Sequence, residues 1–506
     1  MNASNTLPMT PLDPLESAEG LGDKNSSWGR SAFNYGLEHK LEPEAWFTLP
    51  NGFINPRLIL SRSSGGAPAP TANSLTKVAT VATAASANCY AALSTKRRIR
   101  YIMALGGRAI FAAAWDVGVV GNTRLAGVGD AAEGYFFGYD GTSFGILHRY
   151  GGLHEIRKFT VTNAAGGAEN VVMTVDGTAV PVVLAAGSIE ATAWQLAQAD
   201  YGGIGRGWDA YQLDDTVVLI ARDARAASGA FTFTPDAGGT AAAAPSLVHA
   251  GQAPTGEDWT PQTSWSEDAC PWLTKTNGNI YAISYQWRGE IRFFVENPER
   301  GYPTLVHLIP WTNSASSYNA SGAQHALYVS SENTTNDTAV AVYCGSAVGY
   351  SEASTQNTQS LDWAVDVDAS GITTERSVLA LRCCPAANGV TNNSRVRLLE
   401  LSAYGDAAST KAVVVRIYRD VVFTTPQDYA MVSPNSYTSY SAVVSAVTLT
   451  NAIEVWSGCF GCQSSVPPMD LSKLEAVLSP GESIAVTVEC SVAVAVNIGL
   501  RFREEF

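Results

Sequence analysis

The chain has few charged residues, and basic ones are the scarcer kind. Only 15% of its 506 residues are Asp, Glu, Lys or Arg, and 46 acidic side chains against 32 basic ones give a net charge of −14. Nucleic-acid binding depends on clustered Lys and Arg. The one basic run, residues 96–100, predicts an exposed loop or strand edge. The composition therefore argues against a nucleic-acid partner.

Long hydrophobic runs are missing too. No window offers the roughly eighteen consecutive apolar residues of a membrane span. The opening MNASNTLPMTPLDPLES has neither the basic start nor the apolar core of a secretory signal. We therefore expect no membrane insertion, and we expect synthesis in the cytoplasm of the cell that makes the protein. The eight cysteines form no disulfide framework, and most are expected to be reduced, buried and inert.

Convergent catalytic motifs are absent from the sequence. The closest two of the six histidines, His148 and His154, are not at a usual metal spacing, and a solvated or cross-strand role is expected for His148. Neither a GxSxG serine motif nor a phosphate-binding glycine loop occurs. The sequence therefore predicts a protein that is not an enzyme and needs no cofactor.

Two patterns leave alternatives open. The acid pairs at 214–215, 267–268, and 366 with 368 could serve glycoside hydrolysis, and the alternating acids at 362, 366 and 368 could touch Ca²⁺. Any acidic protein contains such pairs by chance. Cys459 and Cys462 form a CxxC, which is half a zinc site that Cys383 and Cys384 would have to complete. An intraloop disulfide and free thiols are the alternatives, and we expect no metal.

Strand signals dominate what is present. The stretch GYFFGYDGTSFGILHRYGG (residues 134–152) predicts a β-hairpin, because aromatic residues flank an Asp-Gly turn. The side chains of Tyr281, Ile283 and Tyr285 alternate with a period of two, as do those of Ile291 and Phe293. We expect both blocks to belong to one antiparallel sandwich.

The residues between these blocks have a different pattern. SIEATAWQLAQAD predicts a helix with Ser188 as its N-cap and Ile189, Trp194, Leu196 and Ala197 on its buried side. Strand patterns precede and follow it, the first pair around Asp176-Gly177. This segment is therefore expected to be a small α+β domain inserted into a loop of the sandwich.

Four runs carry a resemblance to a known class of proteins. In order they are GYFFGYDGTSFGILHRYGG, WTPQTSWSED, GNIYAISYQW and IRFFVENPERGYPTLVHLI, and they resemble virion structural proteins of tailed phages and large double-stranded DNA viruses. The similarity covers roughly residues 100–330. A weaker one, on NNSRVRLLELSAY, LSPGES and LRFREEF, resembles the terminal β-sandwich of such proteins. The resemblance implies a spike, fibre, tail-tip or minor-capsid component.

The expected fold is mainly β, a multi-domain β-sandwich or jelly-roll architecture with a small inserted α+β domain. The expected domains are a polar arm (1–44), the first part of a central sandwich (45–158), the inserted domain (159–244), the second part of the central sandwich (245–360) and a C-terminal sandwich (361–506). Polar arms of this kind become ordered when they lie along a neighbour.

The expected function is that of a non-enzymatic virion protein at the host-facing end of a particle, in a spike, fibre, tail tip or baseplate. Its expected partners are its own copies, with a trimer favoured, other virion proteins through the arm, and a host surface glycan or receptor. Exposed aromatics are the candidate contact residues, namely Trp259, Trp265, Trp272 and Trp311. Alternatives are a minor-capsid, vertex or decoration protein, or a carbohydrate-binding or carbohydrate-active sandwich.

Overall fold

The computed structural model describes residues 42–506 except 48, 50, 51, 57, 101–105, 287, 288, 300, 312, 315–321, 323, 352–359, 388, 407–410, 451, 462–464 and 475. Of the arm predicted at 1–44, residues 1–41 lie outside the described residues and residues 42–44 belong to the first strand. The chain divides into two compact units. Unit 1 holds the described residues up to 151 together with those of 254–357, and unit 2 holds 152–253 together with 358–506. The domain boundaries expected from the sequence stay a prediction.

Almost all regular structure is β. Residues 42–151 form β1 (Glu42–Phe47), β2 (Ile59–Ser64), β3 (Thr71–Ala72), β4 (Ala79–Ala82), β5 (Cys89–Ile99), β6 (Gly107–Trp115), β7 (Asn122–Gly129), β8 (Gly134–Asp140) and β9 (Ser143–Tyr150). Residues 152–253 form β10 (Ile156–Asn163), β11 (Glu169–Val175), β12 (Thr178–Leu184), helix α1 (Ile189–Ala197), β13 (Trp208–Leu213), β14 (Thr216–Ala221), β15 (Thr232–Pro235) and β16 (Ala242–His249).

The later strands complete both units. Residues 254–357 form β17 (Gly256–Pro261), β18 (Asn279–Tyr285), β19 (Ile291–Glu296), β20 (Pro303–Ile309), β21 (His325–Asn333) and β22 (Ala341–Ser351). Residues 358–506 form β23 (Ser360–Ile372), β24 (Arg376–Cys383), β25 (Ala386–Ala387), β26 (Val390–Thr391), β27 (Arg395–Asp406), β28 (Ala412–Arg419), β29 (Val422–Phe423), β30 (Ala430–Met431), β31 (Thr438–Ser441), β32 (Val447–Thr448), β33 (Ile453–Gly461), β34 (Ser465–Asp470), β35 (Val477–Leu478), β36 (Ser483–Cys490) and β37 (Val494–Glu505).

Unit 1 is a sandwich of two antiparallel sheets. The first sheet has the order β20-β19-β18-β6-β22-β4-β3, with β1 also paired to β22, and the second has the order β17-β9-β8-β7-β21-β5-β2. Inward side chains of both sheets form one core. The ring of Phe137 in β8 lies 4.9 Å from that of Tyr281 in β18 and 5.4 Å from that of Phe293 in β19. The two sequence blocks thus face each other across the sandwich.

The predicted hairpin is confirmed as β8 and β9. Asp140 pairs with Ser143, and the turn between them contains Gly141 at φ +59°. Within the hairpin, Gly138 faces Gly145 on the other strand. A Cβ on Gly138 would lie 1.8 Å from the backbone oxygen of Arg124 in β7. Close approach of the strands therefore requires glycine at position 138.

The basic run at 96–100 is less exposed than expected, since none of its residues is fully exposed. It begins inside β5, where Arg98 and Ile99 pair with β21. Arg100 Nε donates to Glu44 Oε1 at 2.8 Å, and both side chains are almost fully buried. Arg98 pairs with Asp130 at 3.3 Å. Because Glu44 belongs to β1, the buried ion pair fixes the first described strand to the sandwich.

In unit 2, residues 152–253 form two small sheets, β13-β14-β10-β16 and β12-β11-β15, around α1. The helix prediction is confirmed, and the hydroxyl of Ser188 accepts from the Ala191 N–H at 3.1 Å. The buried side differs from the expected one: Thr192 and Ala193 are buried with Leu196 and Ala197, whereas Trp194 is half-buried. The small side chains let α1 lie close to the sheet.

Residues 358–506 form a second sandwich. Its sheets have the orders β23-β37-β27-β34, with β35 also on β27, and β30-β31-β24-β36-β28-β33. Aliphatic side chains of both sheets share one core. Glu504 near the end of β37 is fully buried, and its Oε1 accepts from Ser436 Oγ, the Tyr437 N–H and Thr438 Oγ1 at 2.6–2.8 Å. Trp363 Nε1 donates to its Oε2 at 3.0 Å.

Within unit 2 the 152–253 segment packs on this second sandwich. The hydroxyl of Tyr211 donates to the carbonyl of Ala386 at 2.5 Å. The Tyr429 N–H donates to the side-chain oxygen of Gln212 at 3.3 Å, and the guanidinium of Arg382 lies 3.9 Å from the centre of the Tyr429 ring. An apolar cluster joins the two parts around these bonds. The contact therefore combines packing with specific hydrogen bonds.

Candidate functional site

A shallow groove crosses the outer face of the first sheet of unit 1. It has a volume of about 500 Å³, within the usual size range of small-molecule sites. Its lining residues come from β4, β6, β22 and two loops, and they are Asn73, Thr76, Val78, Thr80, Ala112, Ala113, Ala114, Thr276, Gly278, Tyr343 and Gly345. We call this the sheet groove.

The floor of the sheet groove follows from strand register. Thr80 in β4 pairs with Tyr343 in β22, and Tyr343 pairs with Ala114 in β6, so the three lie in one row across the sheet. Ala112 and Ala114 are two positions apart and share the outer face. A Cβ built on Gly345 would meet only the Cβ of Ala112, at 3.5 Å. Small side chains therefore create the depth of the groove beside one aromatic ring.

Tyr343 is held by a carboxylate. Burial, the charge of Asp116 and a hydrogen bond to its carboxylate raise the pKa of the Tyr343 phenol. Asp116 Oδ2 also accepts a hydrogen bond from the Ala341 N–H, at 2.8 Å. Arg124, which is fully buried, donates to the Asp116 carbonyl at 2.7 Å. Asp116, whose charge acts on the Tyr343 phenol, is thus itself held in place by bonds to β22 and to Arg124.

The four tryptophans singled out in the sequence do not line the groove. Trp265 is 7% exposed and packs in the core of unit 1, so the expected exposure of its ring is not found. Trp272 is half-buried against the same core. Trp259 is half-buried beside a cluster on the outer face of the second sheet, and its Nε1 donates to Ser143 Oγ at 3.3 Å. Trp311 is half-buried, and Trp287 lies outside the described residues.

Two histidines meet tyrosines at one end of the unit 1 core. His148 is 8% exposed and lies 5.3 Å from the ring of Tyr135, so the cross-strand role is found and the solvated one is not. His325 is 1% exposed, and its ring lies 5.6 Å from Tyr135 and 5.2 Å from Tyr285. Sequence patterns do not reveal this group, because its members come from strands that are far apart along the chain.

Among the candidate acids, Asp362 and Asp368 are hydrogen-bonded to other side chains, and Asp214 is affected by its neighbour Asp215. Asp362 Oδ1 accepts from Arg503 Nε at 2.6 Å, and these arginine contacts lower the pKa of the Asp362 carboxyl despite its partial burial. Asp368 accepts from Asn497 at 3.0 Å. Burial, followed by the nearby Asp215, raises the pKa of Asp214. In the described part of the chain, no group of three or more His, Cys, Asp or Glu side chains could hold a metal ion.

The cysteines divide into buried and exposed. Of the seven described, all free thiols, six are buried and Cys459 is exposed. Burial raises the pKa of Cys344 to about 12, which makes it unreactive. Cys383 and Cys384 are fully buried, and Cys462 lies outside the described residues. The CxxC hypothesis therefore stays a prediction.

Sequence reasoning missed the sheet groove, although a signal was present. In AIFAAAWD the positions facing the core are large or apolar, while Ala112 and Ala114 on the other face are both small. In AVYCGSAV, Tyr343 and Gly345 alternate in the same way before a bulge between Cys344 and Ala347. Outward positions that are consistently small on neighbouring strands indicate a surface open to close approach.

The fold and site define a mainly β protein made of antiparallel sandwiches, with a groove on the outer face of one sheet. Among solved structures, arcelin-5, a lectin-like defence protein from Phaseolus vulgaris, matches with a TM-score of 0.24 and 8% identity, over 62% of this chain and 100% of that chain. A chain of Sulfolobus turreted icosahedral virus matches at 0.16 and 8%, over 92% and 98%.

A chain from a structure described as the triple jelly roll fold and turret assembly of an archaeal virus matches at 0.16 and 9%, over 93% and 98%. Scores this low carry no argument about function. No family model and no curated protein matches the sequence. Within the described residues, no helix is both long enough and apolar enough to cross a bilayer.

Proposed function

We propose that this chain is a non-enzymatic structural protein of a virion. The observation that carries the proposal is where the resembling motifs lie. The hairpin and the strands from 279 to 309 hold Phe137, Tyr281 and Phe293, which interlock in the core of unit 1. These motifs supply packing residues of a β-sandwich. The resemblance to virion structural proteins therefore concerns a structural domain, and a structural domain serves assembly.

The chemistry of the described residues supports a role without catalysis. Two carboxylates are engaged in structure: Glu504 takes part in four hydrogen bonds, and Asp362 pairs with Arg501 and Arg503. A general acid or base needs a pKa near the working pH and access to substrate. The Glu504 carboxylate is fully buried and has no access to substrate, and the arginine contacts lower the pKa of the Asp362 carboxyl.

The finer proposal is a component of a spike, fibre, tail tip or baseplate that contacts the host, assembled as a homotrimer in the virion. The loop after β6 supports a contact role, because Val117 and Val120 are 70% and 74% exposed. The arm before β1 is proposed to reach other virion proteins. A minor-capsid, vertex or decoration protein is the second reading of the same building block.

Two measurements test the proposal. Antibody-gold labelling of purified particles should place the protein at a host-facing end, and labelling spread over the capsid surface would favour the second reading. Absence of label from particles would contradict the virion role. Light scattering should give three times the chain mass of 53.4 kDa, and a stable monomer at micromolar concentration would refute the trimer.

The arm is tested separately. Removal of residues 1–38 should prevent incorporation into particles and leave the oligomer intact, because the first strand tied into the sandwich begins at Glu42. Normal incorporation of the shortened chain would contradict the proposed role of the arm.

A further inference from the structure

We propose that the sheet groove is a binding site for a neutral saccharide. The assignment concerns the isolated protein, and it stands or falls independently of the virion role.

The lining has the chemistry that a sugar needs. Sugars present apolar C–H faces that pack on aromatic rings and hydroxyls that exchange hydrogen bonds with polar side chains. Tyr343 offers the ring, and hydroxyls come from Thr76, Thr80 and Thr276. The side-chain oxygen of Asn73 already accepts the N–H groups of residues 75 and 76, so the loop that carries Thr76 is fixed.

Charge selects a neutral ligand. No Asp, Glu, Lys or Arg appears among the described residues that line the groove, although the chain carries 78 such side chains. An ionised ligand would lose water here without gaining an oppositely charged partner among the lining residues, which is costly, and the Asp116 carboxylate near Tyr343 already accepts the Ala341 N–H. The net charge of −14 further disfavours acidic sugars. A neutral polyol meets neither penalty.

Shape favours a short chain of sugar rings over a protein side chain. The groove lies over the row of Thr80, Tyr343 and Ala114, and its floor of small residues lets a flat ring approach the backbone of the sheet. The same surface could instead cover a second copy of this chain. That occupant would leave the groove closed in the oligomer, and the test separates the two.

The experiment uses the full chain and four neutral probes: maltotriose, cellotriose, chitotriose and mannotriose. Saturation-transfer NMR detects contact, and titration gives the Kd, expected in about the millimolar range for so open a site. Ala112→Leu should fill the floor and weaken binding at least tenfold. Tyr343→Ala should do the same, whereas Tyr343→Phe, which keeps the ring, should retain most of the affinity.

A matched control makes the same change elsewhere. Ala364→Leu enlarges an exposed alanine on β23 in unit 2 and should leave binding unchanged. Thermal unfolding of each variant checks that the fold is intact. The proposal is overturned if none of the four probes shows transfer, or if Ala112→Leu binds as the wild type does. A shift of Ala112→Leu to a smaller oligomer without any sugar binding would assign the groove to contact between copies.

Discussion

The buried histidine of unit 1 predicts a loss of stability in mild acid. His325 lies between Tyr135 and Tyr285, and its Nδ1 has no hydrogen-bond partner among the described residues. Burial lowers the pKa of His325 to about 4. Asp130 opposes this shift, while Arg98 and His148 add to it. The neutral ring fits an apolar site, and the charged ring does not.

The size and sign of this stability change follow from the coupling between proton binding and unfolding. An unfolded histidine has a pKa of about 6.5, and the difference from about 4 is roughly 2.5 units, or about 3 kcal/mol. Above pH 6.5 the side chain is neutral in both states and costs nothing. As the pH falls from 6.5 towards 4, the unfolded chain takes up the proton first, so the free energy of unfolding decreases. Below pH 4 both states are protonated and the loss from His325 stops growing.

His325→Phe removes the titration and keeps an aromatic ring between the tyrosines. Hydrogen exchange by mass spectrometry, on peptides from β8 and β21 at pH 7.5, 6 and 4.5, compares variant and wild type at equal pH, which cancels the intrinsic rates. Relative to the variant, the wild type should lose most of the 3 kcal/mol by pH 4.5. His249→Gln, in unit 2, should behave as the wild type. If protection from hydrogen exchange fell by the same amount with pH in the wild type and in His325→Phe, the reasoning would be refuted.

Two further substitutions test how the sandwiches are held. Glu504→Ala leaves buried donors unsatisfied and should destabilise the C-terminal sandwich by about 3 kcal/mol or more in urea unfolding, whereas Glu489→Ala, at a half-exposed pair, should cost less than about 1 kcal/mol. Equal effects would contradict this. Gly138→Ala forces a Cβ onto the backbone of β7 and should cost about 3 kcal/mol, while Gly167→Ala, in open space, should be neutral. Soluble, equally stable Gly138→Ala protein would count against the packing argument.

Local chemistry explains what could be predicted from the sequence. The Asp-Gly turn between β11 and β12 is found with Asp176 at φ +45° and Gly177 at φ +78°, the positive values that this dipeptide tolerates. The capped helix after Ser188 is found for the same kind of reason. Each of these features depends on residues close in sequence, and their preferences act before any distant contact forms.

Pairings between distant strands could not be predicted. Tyr281, Ile283 and Phe293 alternate along their strands and are fully buried within unit 1. Their partners are on the opposite sheet, and alternation alone does not show which sheet that is. The sheet groove has the same origin, because Thr80, Tyr343 and Ala114 meet only through the register of β4, β22 and β6.

Buried asparagines show a second limit to what can be predicted from the sequence. Asn333, Asn336 and Asn392 lie in polar stretches of the sequence that are typical of surface loops, yet all three side chains are buried. Asn333 Nδ2 donates to three backbone carbonyls, those of residues 84, 86 and 338. A polar side chain can be buried when every polar atom finds a partner, and those partners come from other parts of the chain.

The contact between residues 152–253 and the C-terminal sandwich changes the result that we expect from deleting the predicted inserted domain. Replacing residues 159–244 by a short Gly-Ser bridge would remove Tyr211 and Gln212. The Ala386 carbonyl would lose its donor, and apolar surface around Cys384 would be exposed to water. Each lost buried hydrogen bond costs about 1 kcal/mol or more, and the exposed apolar area adds to that cost.

We therefore expect the deletion to yield a folded unit 1 and a weakened C-terminal sandwich. Hydrogen exchange should rise in β24 and β31 of the shortened chain and stay unchanged in β8 and β18. Tyr211→Phe provides a smaller version of the same perturbation, since it removes one donor and keeps the packing, and should cost about 1–2 kcal/mol. Unchanged exchange in β24 after the deletion would show that the C-terminal sandwich is stable without the segment that packs on it.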